Sequence, residues 1–292
     1  MSTISVILVT YARSEGLDAT MASLEKQTYP VDEIIICDDY SPDNTEEIGR
    51  RWEMRMPNVN YVRNKANMGM PANLNNGIQL ASGDLIINLH DGDTHAPEMV
   101  ERVHLAFQQE PDVGLVFWAA VDNWQEERGI ATVTPGRQFF LEHFFLSTSS
   151  KIWGTTAVRR EVYNELMPFN DRFGAWADVD MWMRVCLEWD IYYISDPLVD
   201  LHDAGPFRKW NWDKALNIQD MFFLNICRHF DCAEVRRIAL KKQLNLRRKQ
   251  WLRFMFGRIR HRQFGSLFKG LQYMPRYFHM PAIVDEFEAG EF

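Results

Sequence analysis

Short runs of aliphatic and β-branched residues recur along the first third of the chain, each separated from the next by a stretch with helical spacing. Ile4-Ser5-Val6-Ile7-Leu8-Val9-Thr10 is the first run, Glu33-Ile34-Ile35-Ile36-Cys37 the second, Asn60-Tyr61-Val62 the third, and Asp84 to Leu89 the fourth. Runs that are mostly apolar, rather than strictly alternating, suit strands covered on both faces, which is the situation in parallel sheets. Between them, Leu17, Met21 and Leu24 fall on one helical face within Leu17 to Gln27, and Pro30 closes the connection. Glu46 to Met54 and Asn73 to Leu80 predict two further helices, with Gly83 as a break. Alternating strands and helices imply right-handed crossovers and a mostly parallel α/β sheet that gathers its ligands at the carboxyl ends of its strands.

Three polar motifs fall at that edge: Tyr11-Ala12-Arg13, Asp38-Asp39 and Asp91-Gly92-Asp93. Each follows an apolar strand, so one shared cleft explains them better than three independent loops. Two carboxylates one residue apart at the mouth of a buried strand can share a hard divalent cation and leave positions open for phosphate oxygens. The bland alternative is a simple turn, since Asp-Gly is a common turn dipeptide.

Farther along, Pro97 precedes a helix to Gln109 and a strand over Val113-Gly114-Leu115-Val116-Phe117-Trp118, after which the pattern is irregular through Ser150. Asp178 to Glu188 has helical spacing at Val179, Trp182, Val185 and Cys186, with Gly174-Ala175-Trp176-Ala177 as lead-in, so Asp178 is expected near a helix N-terminus. Ile191 to Ile194 and Leu198-Val199 read as two short extended pieces before a loop at His202-Asp203-Ala204-Gly205-Pro206.

At 292 residues and 46% hydrophobic content the chain can bury one large core, with or without an appendage. No stretch approaches the roughly 18 apolar residues of a membrane span, and the N-terminus carries no signal-type pattern, so a cytoplasmic location is expected. Cys37, Cys186, Cys227 and Cys232 stand singly, as reduced packed thiols do, and no disulfide framework is expected. Residues 228 to 279 carry 14 Lys/Arg against 2 acidic residues, within a chain of net charge −8. The remaining body is therefore strongly acidic, which argues against nucleic acid as a partner.

The stretches Ser5 to Arg13, Gln27-Thr28-Tyr29-Pro30, Asp38 to Thr45, Asn67-Met68-Gly69, Asp91-Gly92-Asp93 and Ala177 to Arg184, in that order, resemble the family 2 glycosyltransferases over roughly residues 4 to 205. The resemblance implies a GT-A nucleotide-diphospho-sugar transferase fold, Rossmann-like, whose first half binds a nucleotide sugar and whose second half binds the acceptor. It also implies an inverting reaction. On this resemblance Thr10, Tyr11 and Arg13 lie against the nucleotide, Asp39 accepts hydrogen bonds from base or ribose, and Asp91 touches the ribose or sugar. Asp93 would ligate Mn²⁺ or Mg²⁺ through the diphosphate, with His202 as a second ligand or, equally, a surface histidine. Asp178 would be the base, matching the second acid of a Glu-Asp-x-Asp pattern, although Ala177 stands where Glu is usual; Asp180 or Asp171 could substitute. Trp153, Gly154, Thr155, Trp176 and Asp180 would line the donor or acceptor sugar, while Trp118, Trp182 and Trp189 sit in core patterns.

The expected organisation is a catalytic domain over 1–212, divided into a nucleotide-binding half (1–97) and an acceptor-binding half (98–212), and a helical extension over 213–292. In that extension Arg236, Arg237, Lys241, Lys242, Arg247, Arg248, Lys249 and Arg253 interleave with apolar and aromatic residues. Such a face suits an anionic membrane surface, giving a peripheral location at the cytoplasmic face of the plasma membrane and a glycan or lipid-linked glycan acceptor. The alternative is an appendage packed on the catalytic domain or a second subunit. Two competing functions remain: nucleotidyl transfer making sugar nucleotides, disfavoured by the single glycine in Tyr11 to Gly16, and a non-catalytic membrane-associated glycan-binding scaffold, prompted by Ala177 and the basic tail.

Overall fold

The computed structural model describes residues 2–121, 132–145, 152, 154–201 and isolated positions between 245 and 271. Trp153, His202 and the proposed membrane-facing tail lie outside the described residues, apart from those isolated positions. Two compact units divide the chain, one comprising Met1–Phe140 with Ser150–Ala204 and the other Leu141–Ser149 with Gly205–Phe292. Among the described residues no helix is long and apolar enough to cross a membrane.

The first unit is built on one sheet. Its strands are β1 (Ile4–Thr10), β2 (Glu33–Asp38), β3 (Val59–Arg63), β4 (Leu85–His90), β5 (Thr94–His95), β6 (Val113–Ala120), β7 (Val133–Thr134), β8 (Thr156–Arg159) and β9 (Asp190–Asp200). The helices are α1 (Ser14–Leu24), α2 (Thr45–Arg55), α3 (Met70–Leu80), α4 (Met99–Gln109), α5 (Gly136–Phe139), α6 (Arg160–Leu166) and α7 (Ala177–Glu188). The sheet runs β3-β2-β1-β4-β8-β6-β9-β5, with β7 also on β9. From β3 to β4 every pairing is parallel, as the continuous apolar runs require; β8 then lies antiparallel to both β4 and β6, and β6 pairs in parallel with β9.

All seven residues of β1 are buried, and Val6, Leu8, Ile34, Ile36, Ile87 and Leu89 join Leu17, Met21, Leu24 and Trp52 in the core. Trp118 and Trp182 are core residues too. Cys37 and Cys186 are free and buried, as expected of packed thiols; Cys227 and Cys232 lie outside the described residues.

Three expectations need correction. Helix α1 begins at Ser14 and ends at Leu24, a turn earlier than the apolar spacing indicated. The stretch read as irregular through Ser150 contains β7 and α5, a two-residue strand and a four-residue helix too short to show a period. The two extended pieces near residues 191–199 are one strand, β9, in which Pro197 pairs with Ala119 where the β6–β9 register shifts. A proline is tolerated at such an irregularity because no ladder hydrogen bond is asked of it there.

Candidate active site

Strands β1, β2 and β4 end side by side, at Thr10, Asp38 and His90, and the polar motifs begin there. The Thr10 hydroxyl donates to Asp91 Oδ2 at 2.7 Å and the Tyr11 amide to the same oxygen at 3.3 Å. Arg13 Nη1 stands 3.4 Å from Asp91 Oδ1. Thr10, Tyr11, Arg13 and Asp91 therefore form one cluster, with Tyr11 48% exposed. Burial pushes the Asp91 carboxyl above its ordinary range, against the pull of Thr10, Arg13 and the Tyr11 amide.

The chain between β1 and α1 is strained. Ala12 has a φ of +53°, and its amide donates to Ser41 Oγ at 2.9 Å, tying this turn to the one after β2. The Ser14 amide likewise donates to Asp43 Oδ2 at 3.1 Å. A non-glycine residue held at positive φ must be overdetermined by its surroundings, as such residues at ligand sites are.

Asp38 and Asp39 divide their work. Asp38 is fully buried and accepts from the Ser41 amide, the Ser41 hydroxyl and the Tyr61 hydroxyl, with Arg63 Nε at 3.3 Å. Asp39 accepts from Asn64 Nδ2 (3.0 Å) and the Met68 amide (2.8 Å) at Oδ1, and from the Gly69 amide (2.8 Å) at Oδ2. Here it anchors the Asn67-Met68-Gly69 loop that leads into α3, and Gly69 takes φ +84° to make that entry. A carboxylate has about four acceptor positions, so Oδ2 retains one for a ligand.

The turn after β4 is equally fixed. Gly92 adopts φ +94°, and a Cβ there would stand 2.3 Å from Arg13 Nη2, so glycine is required both for the backbone and for the passage of the guanidinium. Asp93 follows, its side chain partly accessible. His90 packs below: burial, then the charge of Arg13, pulls its imidazole down to about 4, keeping it neutral.

The segment entering β8 brings Gly154 and Thr155, two of the predicted sugar-side residues, to the end of β4. Asn88 pairs with Thr156 across the antiparallel ladder, and a Cβ on Gly154 would stand 2.1 Å from His90 Nε2. Gly154 and Thr155 are thus neighbours of the Asp91-Gly92-Asp93 turn. The Asn88 amide also donates to Thr156 Oγ1 and to the Tyr163 hydroxyl, fastening α6 to the sheet.

Asp178 lies in the first turn of α7, after a short 3-10 segment over Asp171–Trp176 that packs beside α3. Asn75 of α3 exchanges two hydrogen bonds with the Phe169 backbone just before that segment. Asp178 Oδ1 accepts from the Val179 amide at 2.7 Å, while burial raises its carboxyl to about 7, against the pull of that hydrogen bond. Asp180, two residues on, is buried at 2% exposure and its Oδ2 pairs with Arg184, whose guanidinium also holds the Leu166 and Pro168 carbonyls. In this arrangement Asp180 anchors helix α7. Trp176 closes the 3-10 segment two residues before Asp178 in the chain.

Sequence reading missed the side chains that hold this edge together. Asn64, Asn73 and Asn76 form a chain of amides under the Asp39 loop, with Asn73 Nδ2 donating to the Cys37 carbonyl. Asparagines scattered over a loop and a helix have no periodic signal; only the buried position of Asn73 reveals its role.

The sheet and its polar edge have the arrangement of the GT-A fold. A model of glycosyl transferase family 2 matches residues 5–167, more than half of the chain, and the protein belongs to that family. An uncharacterized glycosyltransferase of Haemophilus influenzae is 26% identical over 200 residues, covering 67% of this chain and 66%, just under two thirds, of the relative. Among solved structures, S. aureus TarS 1-349 in complex with UDP-GlcNAc superposes with a TM-score of 0.62 at 17% identity, over 83% of this chain and 73% of that one. The mannosyltransferase PcManGT from Pyrobaculum calidifontis, in complex with GDP-Man and Mn²⁺, gives 0.62 at 17% over 99% and 79%. These two likenesses establish the fold.

Proposed function

We propose that the protein is an inverting, metal-dependent glycosyltransferase that moves one sugar from a nucleotide diphosphate, UDP as the first choice, to a hydroxyl of a glycan or lipid-linked glycan in cell-surface polysaccharide assembly. The observation that carries this reading is the convergence of Thr10, Tyr11, Arg13 and the anchored Asp91 on the turn that presents Asp93, with Gly154 and Thr155 beside it. A uracil or guanine ring can lie on the exposed face of Tyr11, and Asp39 keeps an acceptor position for base or ribose. Arg13 can exchange its pairing with Asp91 for the diphosphate.

The donor set suits Mn²⁺ or Mg²⁺. Asp93 offers hard carboxylate oxygen from a turn whose backbone is pinned, and among the described residues no three His, Cys, Asp or Glu gather to hold an ion by themselves. Magnesium commonly takes one or two carboxylates and fills its remaining positions with phosphate oxygens and water. Bound there, the ion would supply Lewis-acid neutralisation of the diphosphate leaving group. Asp178, as carboxylate, would take the proton of the attacking acceptor hydroxyl. The basic tail would carry the protein to an anionic membrane surface at the cytoplasmic face, and deletion after Asp231 should then abolish binding to anionic liposomes.

The structural neighbours support a sugar-nucleotide donor without choosing one, since TarS is in complex with UDP-GlcNAc and PcManGT with GDP-Man. Incubation with a panel of UDP- and GDP-sugars, with and without Mn²⁺, tests the reading: metal-dependent release of one nucleoside diphosphate, absent in Asp93→Ala, is expected. Release unaffected by Asp93→Ala would overturn it, and binding of glycans without any turnover would favour the scaffold reading.

A further inference from the structure

The motif Gln27-Thr28-Tyr29-Pro30 lies far from the strand ends in sequence, yet its glutamine belongs to a polar stripe on the sheet-facing side of the first helix and its exit. Thr20, Ser23 and Gln27 are spaced three and four residues apart, so they share one helical face. Each bonds to backbone in or after the Asp91-Gly92-Asp93 turn. Thr20 Oγ1 donates to the Asp93 carbonyl at 2.7 Å, with the Gly16 carbonyl farther off at 3.1 Å, and accepts from the Gly92 amide at 3.0 Å. Ser23 Oγ accepts from the His95 amide at 3.1 Å. Gln27 Nε2 donates to the Ala96 carbonyl at 2.8 Å and Gln27 Oε1 accepts from the Val100 amide at 3.0 Å.

Thr20 is fully buried, and it holds the Asp91–Gly92 peptide by its N–H and the Asp93–Thr94 peptide by its carbonyl, the two that bracket Gly92-Asp93. This close approach is possible because Gly16, one turn earlier on α1, has no side chain: a Cβ there would stand 3.0 Å from the Gly92 nitrogen and 3.1 Å from its Cα. The backbone from which the Asp93 carboxylate projects is thus held on both sides of Gly92-Asp93 by one hydroxyl.

We infer that Thr20 is a positioning residue for the Asp93 carboxylate, acting through the Gly92 amide and the Asp93 carbonyl, with Gly16 admitting it and Ser23 and Gln27 fixing the segment beyond. The inference rests on the reading of Asp93 as the carboxylate that meets the cation and diphosphate. Groups that orient a ligand from behind typically change metal affinity by about 10- to 100-fold when removed. The effect should decline along the stripe, because Gln27 bonds to residues three and seven positions after Asp93.

The test measures Mn²⁺ affinity by the electron paramagnetic resonance signal of free Mn²⁺, in the presence of UDP or GDP, alongside thermal unfolding. Thr20→Val, which keeps the shape and loses the hydroxyl, should weaken Mn²⁺ binding about tenfold or more, and Thr20→Ser should restore it to within about threefold. Gln27→Leu should lower the melting temperature as Thr20→Val does while leaving Mn²⁺ affinity within about threefold of the wild type. If Thr20→Val does not fold, Gly16→Ala is read instead, with weaker Mn²⁺ binding expected. Wild-type affinity in Thr20→Val, or in Gly16→Ala where that variant is read, failure of Thr20→Ser to restore it, or an equal loss in Gln27→Leu would overturn the inference alone. A wild-type chain that binds no Mn²⁺ with either nucleotide would overturn the functional reading together with it.

Discussion

Replacing Asp178 with Asn should stabilise the protein above neutral pH and stop sugar transfer. In the fold, burial raises the Asp178 carboxyl from an ordinary 3.8 to about 7. Between those two values the native state holds a proton that the unfolded chain has released, so native stability falls as pH rises through the window and levels off above about 7. At about 1.36 kcal/mol per pKa unit, the three units amount to about 4 kcal/mol as a ceiling. Asparagine removes that cost, and its side-chain oxygen can still accept from the Val179 amide that Asp178 Oδ1 now takes at 2.7 Å. Urea unfolding of both proteins from pH 4 to pH 8, with chelator present, is the assay. The variant should match the wild type near pH 4 and exceed it by about 1–4 kcal/mol at pH 8. The same ionisation should appear in the wild type as a rise in turnover toward pH 7, lost in the variant. A variant less stable than the wild type at pH 8, or a gap that does not change with pH, would refute the argument that a charged carboxylate is kept there at the expense of stability.

Two further substitutions probe the edge. Asp39→Ala removes the acceptor for Asn64 Nδ2 and the Met68 and Gly69 amides, and should cost about 1–3 kcal/mol in urea unfolding while weakening nucleoside diphosphate binding in calorimetry. Gly154→Ala would set a Cβ 2.1 Å from His90 Nε2 and should cost about 1–3 kcal/mol, with much of the loss recovered in the double variant with His90→Ala, a non-additivity read from a double-mutant cycle.

The half of the fold that was legible in the sequence is the half made of parallel strands. Ile4 to Thr10 and Leu85 to His90 are covered on both faces, so nearly every position must be apolar and the run stands out. Strand β8 has only four residues, and β5 and β7 two each, so none carries a period long enough to read. Strand β9 was split by Ser195-Asp196-Pro197, which occupies the register shift opposite Trp118 and Ala119. At the site, carboxylates announced themselves because charge at the end of a buried strand is costly unless used. Thr20 did not, since a lone hydroxyl within an apolar helix looks like filler until its partners across the turn are seen. Asp39 was legible as a residue of the edge, but its bonds to Met68 and Gly69 depend on a loop some thirty positions away, which no local pattern encodes.

The central claim is that Asp93 presents a divalent ion to a nucleotide diphosphate. Its most direct test is the thermal shift of wild type and Asp93→Ala with UDP-GlcNAc and GDP-Man, each with and without Mn²⁺, because a ligand that binds the native state raises its apparent stability by mass action. The account predicts a shift in the wild type that requires both Mn²⁺ and one nucleotide sugar and that vanishes in Asp93→Ala. An equal shift in both proteins, or one indifferent to the metal, would contradict it.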